Sequence, residues 1–225
     1  MECDICKVST QLGDCTLHSV KGHHVKVRSS GGRVIGLGTI HGNVDILTSG
    51  ESAVDIKKLQ GTTMNVSTEH GSMKVKAIYA EFSSISSCTG RVELGLVHGG
   101  ATVRNESGET VIDGSNGVLK VSSHTGLIDV YVGEGGSADI QSQQGAVSVR
   151  VPSSVRAGLE LCGSSVDISP EVAFHQTEKL QAPGQTTVTG FVNGDSADQP
   201  QVRARSTGPV KLRTQSWFES LKLTS

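Results

Sequence analysis

GNVDILTSGESAVDI, residues 42–56, carries the tripeptide Val-Asp-Ile twice, at 44–46 and again at 54–56. An aspartate between two β-branched residues is either half of a catalytic pair or the outward tooth of a strand. The spacing of apolar residues beyond this stretch decides between them. Ile35, Val54, Met73, Val92 and Val111 stand nineteen residues apart, and Leu37, Ile56, Val75 and Leu94 follow two places behind with the same step. A third column runs Ile40, Leu59, Ile78, Val97, trailed by a turn column, Gly42, Gly61, Ala80, Gly99. Apolar positions two apart are the alternation of a strand and not the face of a helix.

A second set of strands sits half a period away: Val25/Val27, Val44/Ile46, Met64/Val66, Leu119/Val121 and Ala138/Ile140. Each unit of about nineteen residues then holds two short strands and two corners, and buries its apolar side only when stacked on its neighbours. The expected fold is all-β, a single-stranded parallel β-solenoid. Its core columns are Ile35, Val54, Met73, Val92 and Val111 beside Leu37, Ile56, Val75 and Leu94. The segment AEFSSISSCT, 80–89, breaks the pattern and reads as a degenerate strand or bulge.

On this plan Asp45 and Asp55 point outward from different faces and share no site. Nineteen residues on from Asp55 comes Lys74 and then Glu93, while Lys26 precedes Asp45, and Lys120 precedes Asp139, by the same step. Opposite charges on neighbouring strands are cross-strand pairs that hold register.

Composition narrows the function. Aromatic residues make up 3% of the 225, the formal charge is −2, and no basic run is interleaved with aromatics, so nucleic acid is not the expected partner. No apolar stretch approaches the roughly 20 residues of a membrane span. Five cysteines, Cys3, Cys6, Cys15, Cys88 and Cys162, form an odd set, which favours a reducing, intracellular compartment. Cys3-Asp-Ile-Cys6 with Cys15 lacks a fourth zinc ligand nearby, and Cys6, nineteen before Val25, reads as a core position.

The motifs that suggest chemistry do not converge. Histidines precede glycine at His41, His70 and His98, with His124 near Gly126, but the repeat scatters them over different corners, so no metal site is expected. GLGTIHG, 36–42, lacks the third glycine and following helix of a phosphate loop. The reading is therefore of no catalytic residue, no cofactor and no metal: a non-enzymatic scaffold or protein-interaction module. The alternative is a carbohydrate-binding or carbohydrate-active solenoid, which requires paired carboxylates and a groove lined by aromatics.

The repeat occupies 1–168. The segment 169–225 is expected to cap it, with a hairpin between Val202/Ala204 and Val210/Leu212 across Ser206–Pro209 and a plug of Trp217, Phe218 and Leu221. At the other end the pattern is already running at Cys6-Lys-Val8, so earlier coils are expected to be missing. That strand edge, residues 1–30, is then a contact for self-association or for an unknown protein partner.

GNVDI (42–46), GRVEL (90–94), GLIDV (126–130) and GAVSVRVPSSVRAGLEL (145–161) resemble the repeats of the adhesin β-solenoid family over roughly residues 15–168. KLQGTTMNVSTEHG (58–71), VPSSV (151–155) and QSWFESLKL (215–223) resemble a vertebrate protein of this kind. The resemblance implies a solenoid and a longer N-terminal region, and the location expected from the family is mitochondria. It brings no catalytic residues.

Overall fold

The computed structural model describes residues 2–194 and 199–215, with the side chains of 176 and 177 left aside. The plug expected at Trp217, Phe218 and Leu221 lies outside the described residues. Among those described there is no helix. The strands are β1 (Glu2–Thr10), β2 (Cys15–Leu17), β3 (Val20–Ser29), β4 (Val34–Thr48), β5 (Val54–Thr68), β6 (Met73–Ser87), β7 (Val92–Ser107), β8 (Thr110–Asn116) and β9 (Val118–Thr125). They continue as β10 (Ile128–Val132), β11 (Ser137–Ser142), β12 (Val147–Val151), β13 (Ala157–Gly163), β14 (Val166–Ile168), β15 (Phe174–Ala182), β16 (Gln185–Val192), β17 (Gln201–Ser206) and β18 (Val210–Thr214). The chain divides into two compact units, Met1–Ile112 and Asp113–Ser225. Parallel stacked coils about nineteen residues apart form the β-solenoid.

In the first unit, β4 to β7 each bend round both legs of a coil and pair in parallel with the next. On the first leg the buried columns are Cys15, Val34, Val54, Met73, Val92 and Leu17, Gly36, Ile56, Val75, Leu94. Ile40, Leu59, Ile78 and Val97 are buried as the spacing predicts. The second leg buries Cys6, Val25, Val44, Met64, Ser83 and Ala101, then Val27, Ile46, Val66, Ile85 and Val103. At the bend after Ile78 and Val97 the backbones come so close that a Cβ on Gly99 would strike the Ala80 carbonyl, and φ there is +93°, a region glycine enters without strain.

Three expected core residues are displaced. Ile35 and Leu37 point outward, Leu37 being 52% exposed, while Val34 and Gly36 take the inward places. The cause is an extra residue in β4: Gly36 pairs with Ile56 but Thr39 with Lys58, leaving Leu37 and Gly38 to bulge. The chain needs glycine in the bulge because a Cβ on Gly38 would meet the His18 carbonyl oxygen. Val111 likewise turns outward, with Thr110 and Ile112 buried around it. Pairing of β6 with β7 shifts by one residue between Tyr79 and Phe82, and a one-residue slip turns side chains to the opposite face. Of the two alternatives for 80–89 the bulge holds, at the shift between Tyr79 and Phe82, and the strand is not degenerate: β6 continues to Ser87 and buries Ile85 and Ser83.

The second unit departs from chain order. β9 pairs with β11, and β10 with β12, in the expected step of nineteen. The next strand beside β11 is β17, whose other side pairs with β13; the next beside β12 is β18, followed by β14. The coil 201–214 is thus inserted between two earlier coils, all in parallel. Val202/Ala204 and Val210/Leu212 are therefore the two legs of a solenoid coil, not an antiparallel hairpin, and the segment after 168 is not entirely a cap. The hairpin that does form is β15–β16, turning at Pro183–Gly184, with β16 antiparallel to β13.

Candidate functional site

Three places gather polar or aromatic side chains, and each is built by the columns of the repeat. Outward positions of β10 and β12 in the second unit carry Asp129, Tyr131 and Arg150, with Tyr131 opposite Arg150. The Arg150 side chain is only 4% exposed. Its Nε donates to Asp129 Oδ1 at 2.8 Å, its Nη1 to Gln215 Oε1 at 2.7 Å and its Nη2 to Asp113 Oδ1 at 3.4 Å. Arg213, opposite Arg150 on β18, reaches the second oxygen of Asp129 at 3.6 Å. Burial pushes the Tyr131 phenol up, helped by Glu134 and opposed by Arg150. Two carboxylates on one face are what a glycosidase needs, but here a guanidinium donates to both. The group that would have to deliver a proton is instead held as one side of an ion pair. Chemically the cluster is a buried staple.

The second place is the bend of β5, β6 and β7. Tyr79 stacks on His98 with ring centroids 4.5 Å apart, and the Lys58 ammonium lies 4.9 Å from the Tyr79 centroid. These partners come from the coils on either side of β6. Next to them Phe82 is 66% exposed opposite Gly100. Lys57 and Lys76 follow the inward pair Ile56 and Val75, so they occupy neighbouring outward positions on β5 and β6.

The third place, in the second unit, is an open groove of about 680 Å³ along the second leg, lined by Gln141, Gln143, Gln144, Cys162, Gln185 and Arg205 among others. Arg205 is bound to Glu160 at 2.7 Å, and Gln185 Nε2 donates to the Cys162 sulfur at 2.9 Å.

The expected charge ladders are in register. Lys26 lies 3.5 Å from Asp45 and Lys74 3.2 Å from Glu93, while Asp55 stands opposite Lys74. Lys120, Asp139, Arg203 and Glu160 form one column of alternating sign. Asp45 and Asp55 sit on different legs, and the groove beside Asp45 is not lined by Asp55. His70 is hydrogen-bonded to Thr89 and His124 to Gln143, each across one coil step, so these corner histidines are tied to polar neighbours. Among the described residues no group of three or more His, Cys, Asp or Glu is placed to hold a metal.

Sequence reasoning missed two features. A buried polar column of Ser29, Thr48, Thr68, Ser87 and Asn105 closes the second leg in the first unit, with Ser123, Ser142 and Ser206 at the same place in the second. Its signal was present, since each follows its apolar strand pair by two. The Arg150 staple left no such signal, because an arginine at an outward strand position reads as solvated.

No family model matches the chain, and no solved structure matches it. The class is that of the fold itself, an all-β parallel β-solenoid. Among the described residues no helix is long and apolar enough to cross a membrane.

Proposed function

We propose that the chain is a non-enzymatic scaffold, a protein-interaction module that presents the outward faces of its coils to partner proteins. The observation that carries this reading is the use made of its carboxylates. Glu2, Asp14, Asp45, Glu93, Glu109 and Glu160 each pair with a cation on another strand or corner, and Asp113 and Asp129 share Arg150. Carboxylates spent in this way hold register and are not available as a free acid or base.

The aromatics point the same way. A sugar-binding face needs open rings in a row, whereas the Tyr79 ring is taken by His98 and Lys58, leaving Phe82 beside it. The adhesin resemblance supports the architecture and brings no reaction. Cys6 and Cys15 serve as core residues, which suits a reducing compartment, mitochondria included. The partner we propose is another protein. A second copy, meeting the first through residues 1–30, is the alternative, and sedimentation across a concentration series separates them.

The test of the reading is a polysaccharide and oligosaccharide panel assayed for released reducing ends and unsaturated products. No turnover is expected, together with a discrete set of neighbours on proximity labelling of the protein in cells. Turnover that disappears in Asp113→Asn or Asp129→Asn would overturn it.

A further inference from the structure

Several outward columns keep opposite charges together, because like charges directly opposite one another are unfavourable. Where Lys7 stands opposite Lys26, Asp45 lies beyond and pairs with Lys26. The column through Lys57 and Lys76 departs from this, the carboxylates of the same face, Asp55 and Glu93, lying one outward position back on either side of Lys74. Lys57 and Lys76 are stacked on adjacent strands with Lys58 beside them. Reading across the strands, the column begins at Leu37 in β4 and ends beyond Lys76 at Gly95 in β7, with no carboxylate in it. Among the described residues neither Lys57 nor Lys76 has an ion-pair partner. Leu96, next to Gly95 and opposite Ala77, is 47% exposed.

A sheet that sets opposite charges side by side in several columns and stacks lysines here, flanked by two exposed leucines, gives up stability locally, which is what binding faces do. The bend that follows is held by Tyr79, which lies between His98 and Lys58. We propose that the outward face around Lys57 and Lys76 docks an acidic, leucine-bearing extended segment of a partner protein. This deepens, and rests on, the reading of the chain as a scaffold.

Charge complementarity and geometry specify the occupant. A segment lying across the strands meets Leu37, Lys57 and Lys76 in turn, one strand spacing of about 4.8 Å apart, and then Leu96 one residue further along β7, roughly 15 Å in all. An extended peptide covers that length in about five residues. It should carry acidic residues between two apolar ones. Nucleic acid fits less well, because the patch has three lysines in a chain of net charge −2 and Tyr79 offers no open face for a base.

The test uses the whole chain and a fluorescein-labelled peptide, Ser-Leu-Glu-Glu-Asp-Leu-Ser, followed by fluorescence anisotropy at about 0.15 M salt. Saturable binding is expected, weakened about tenfold or more by the double variant Lys57→Glu/Lys76→Glu, and weakened again when salt is raised. Leu96→Ser should weaken it with little salt dependence. Lys211→Glu, on β18 in the other unit, should leave it unchanged. Circular dichroism and thermal melting of each variant keep a folding defect separate from a binding defect. The proposal is overturned if a peptide with lysines in place of its acids binds equally well, if the double variant binds as the wild type does, or if a single-stranded 20-mer oligonucleotide displaces the peptide and binds tighter. Failure here with no turnover in the sugar panel removes this surface and leaves the scaffold reading; turnover removes the scaffold reading whatever the peptide does.

Discussion

Removing the Arg150 side chain would leave Asp113 and Asp129 as partly buried carboxylates without their main cation, and Gln215 without its donor. That asymmetry sets the cost: an ion pair taken apart on one side in the interior costs far more than the pair contributes. Arg150→Ala should therefore destabilise the second unit by about 3 kcal/mol, read as a fall in the denaturant midpoint of probes in residues 113–215. Arg150→Lys should recover little, because one ammonium cannot satisfy three acceptors held at fixed directions. Asp45→Asn is the control at an exposed pair, with about half of the Asp45 side chain open to solvent, and should cost under about 1 kcal/mol. The cysteines give a pH prediction of definite sign. Burial pushes the Cys6 thiol up, with Cys3 adding to it, and burial pushes the Cys15 thiol up as well. Below the ordinary thiol pKa of about 8.5 both folded and unfolded chains keep these protons, and stability is unaffected. Above it the unfolded chain releases them first, so stability falls as pH rises toward the raised folded values. A Cys6→Val/Cys15→Val variant should flatten that alkaline decline in urea melts taken between about pH 7.5 and 9.5; an unchanged slope would place the titration elsewhere.

Four corners of the first unit are held by a hydroxyl or amide that stands in for a missing backbone partner, the Thr68 hydroxyl making no such bond. Ser29 Oγ donates to the Gly32 carbonyl, Thr48 Oγ1 to the Ser52 carbonyl, and Gly90 N–H donates to Ser87 Oγ. Asn105 does this for two coils, its Nδ2 donating to the Gly90 and Gly108 carbonyls and to Thr110 Oγ1. Asn105→Ala should cost about 1–3 kcal/mol and loosen the corner 106–109, seen as faster amide exchange there than at the unaltered corner after Thr48. The same coils show what a sequence tells and what it withholds. Val54, Met73 and Val92, with Ile56, Val75 and Leu94, were legible because three successive coils share one length and strand alternation fixes the inward set. Ile35 and Leu37 misled because Val34-Ile-Gly-Leu offers apolar residues on both faces, and a glycine in the core place looks like an absence. There Ile56 and Ile40 close over Gly36, filling the space that a side chain leaves elsewhere. Lys57 over Lys76 was equally visible at a step of nineteen, but a search for basic runs along the chain does not see a basic column across it. The Arg150 cluster was not legible, since burial of an outward face depends on what covers it and not on the strand's own pattern.

At the largest scale the informative fact is that stacking order in the second unit is not chain order. Stacked in sequence, β11 and β13 would set Asp139 against Glu160 in one column; with β17 between them the column reads Lys120, Asp139, Arg203, Glu160, and Arg203 lies 3.3 Å from Glu160. The nineteen-residue step stops where it does because the coil that follows 137–151 in space comes from 201–214 in the chain. Such an arrangement needs contacts distant in sequence, and its formation is slow by the same argument that makes non-local pairing slow in general. It also means that the last described strands are central ones. β17 is bonded on both sides, by β11 and β13, and β18 by β12 and β14, whereas β15 takes its registered partner from β16. An amide paired within a central strand exchanges when the unit as a whole opens, and one in an outer hairpin exchanges when the hairpin alone lifts. Native-state hydrogen exchange should accordingly place residues 201–214 in the slowest class of the second unit, alongside 137–151, with 174–182 exchanging earlier and less sensitively to denaturant. Arg203→Glu, which sets three carboxylates in a row, should bring 201–206 into the faster class while leaving the ranking of 174–182 as it was. Exchange of 201–214 as fast as 174–182 in the wild-type chain would mean that the inserted coil is only loosely seated, and the stacking order read from its pairings would fail with it.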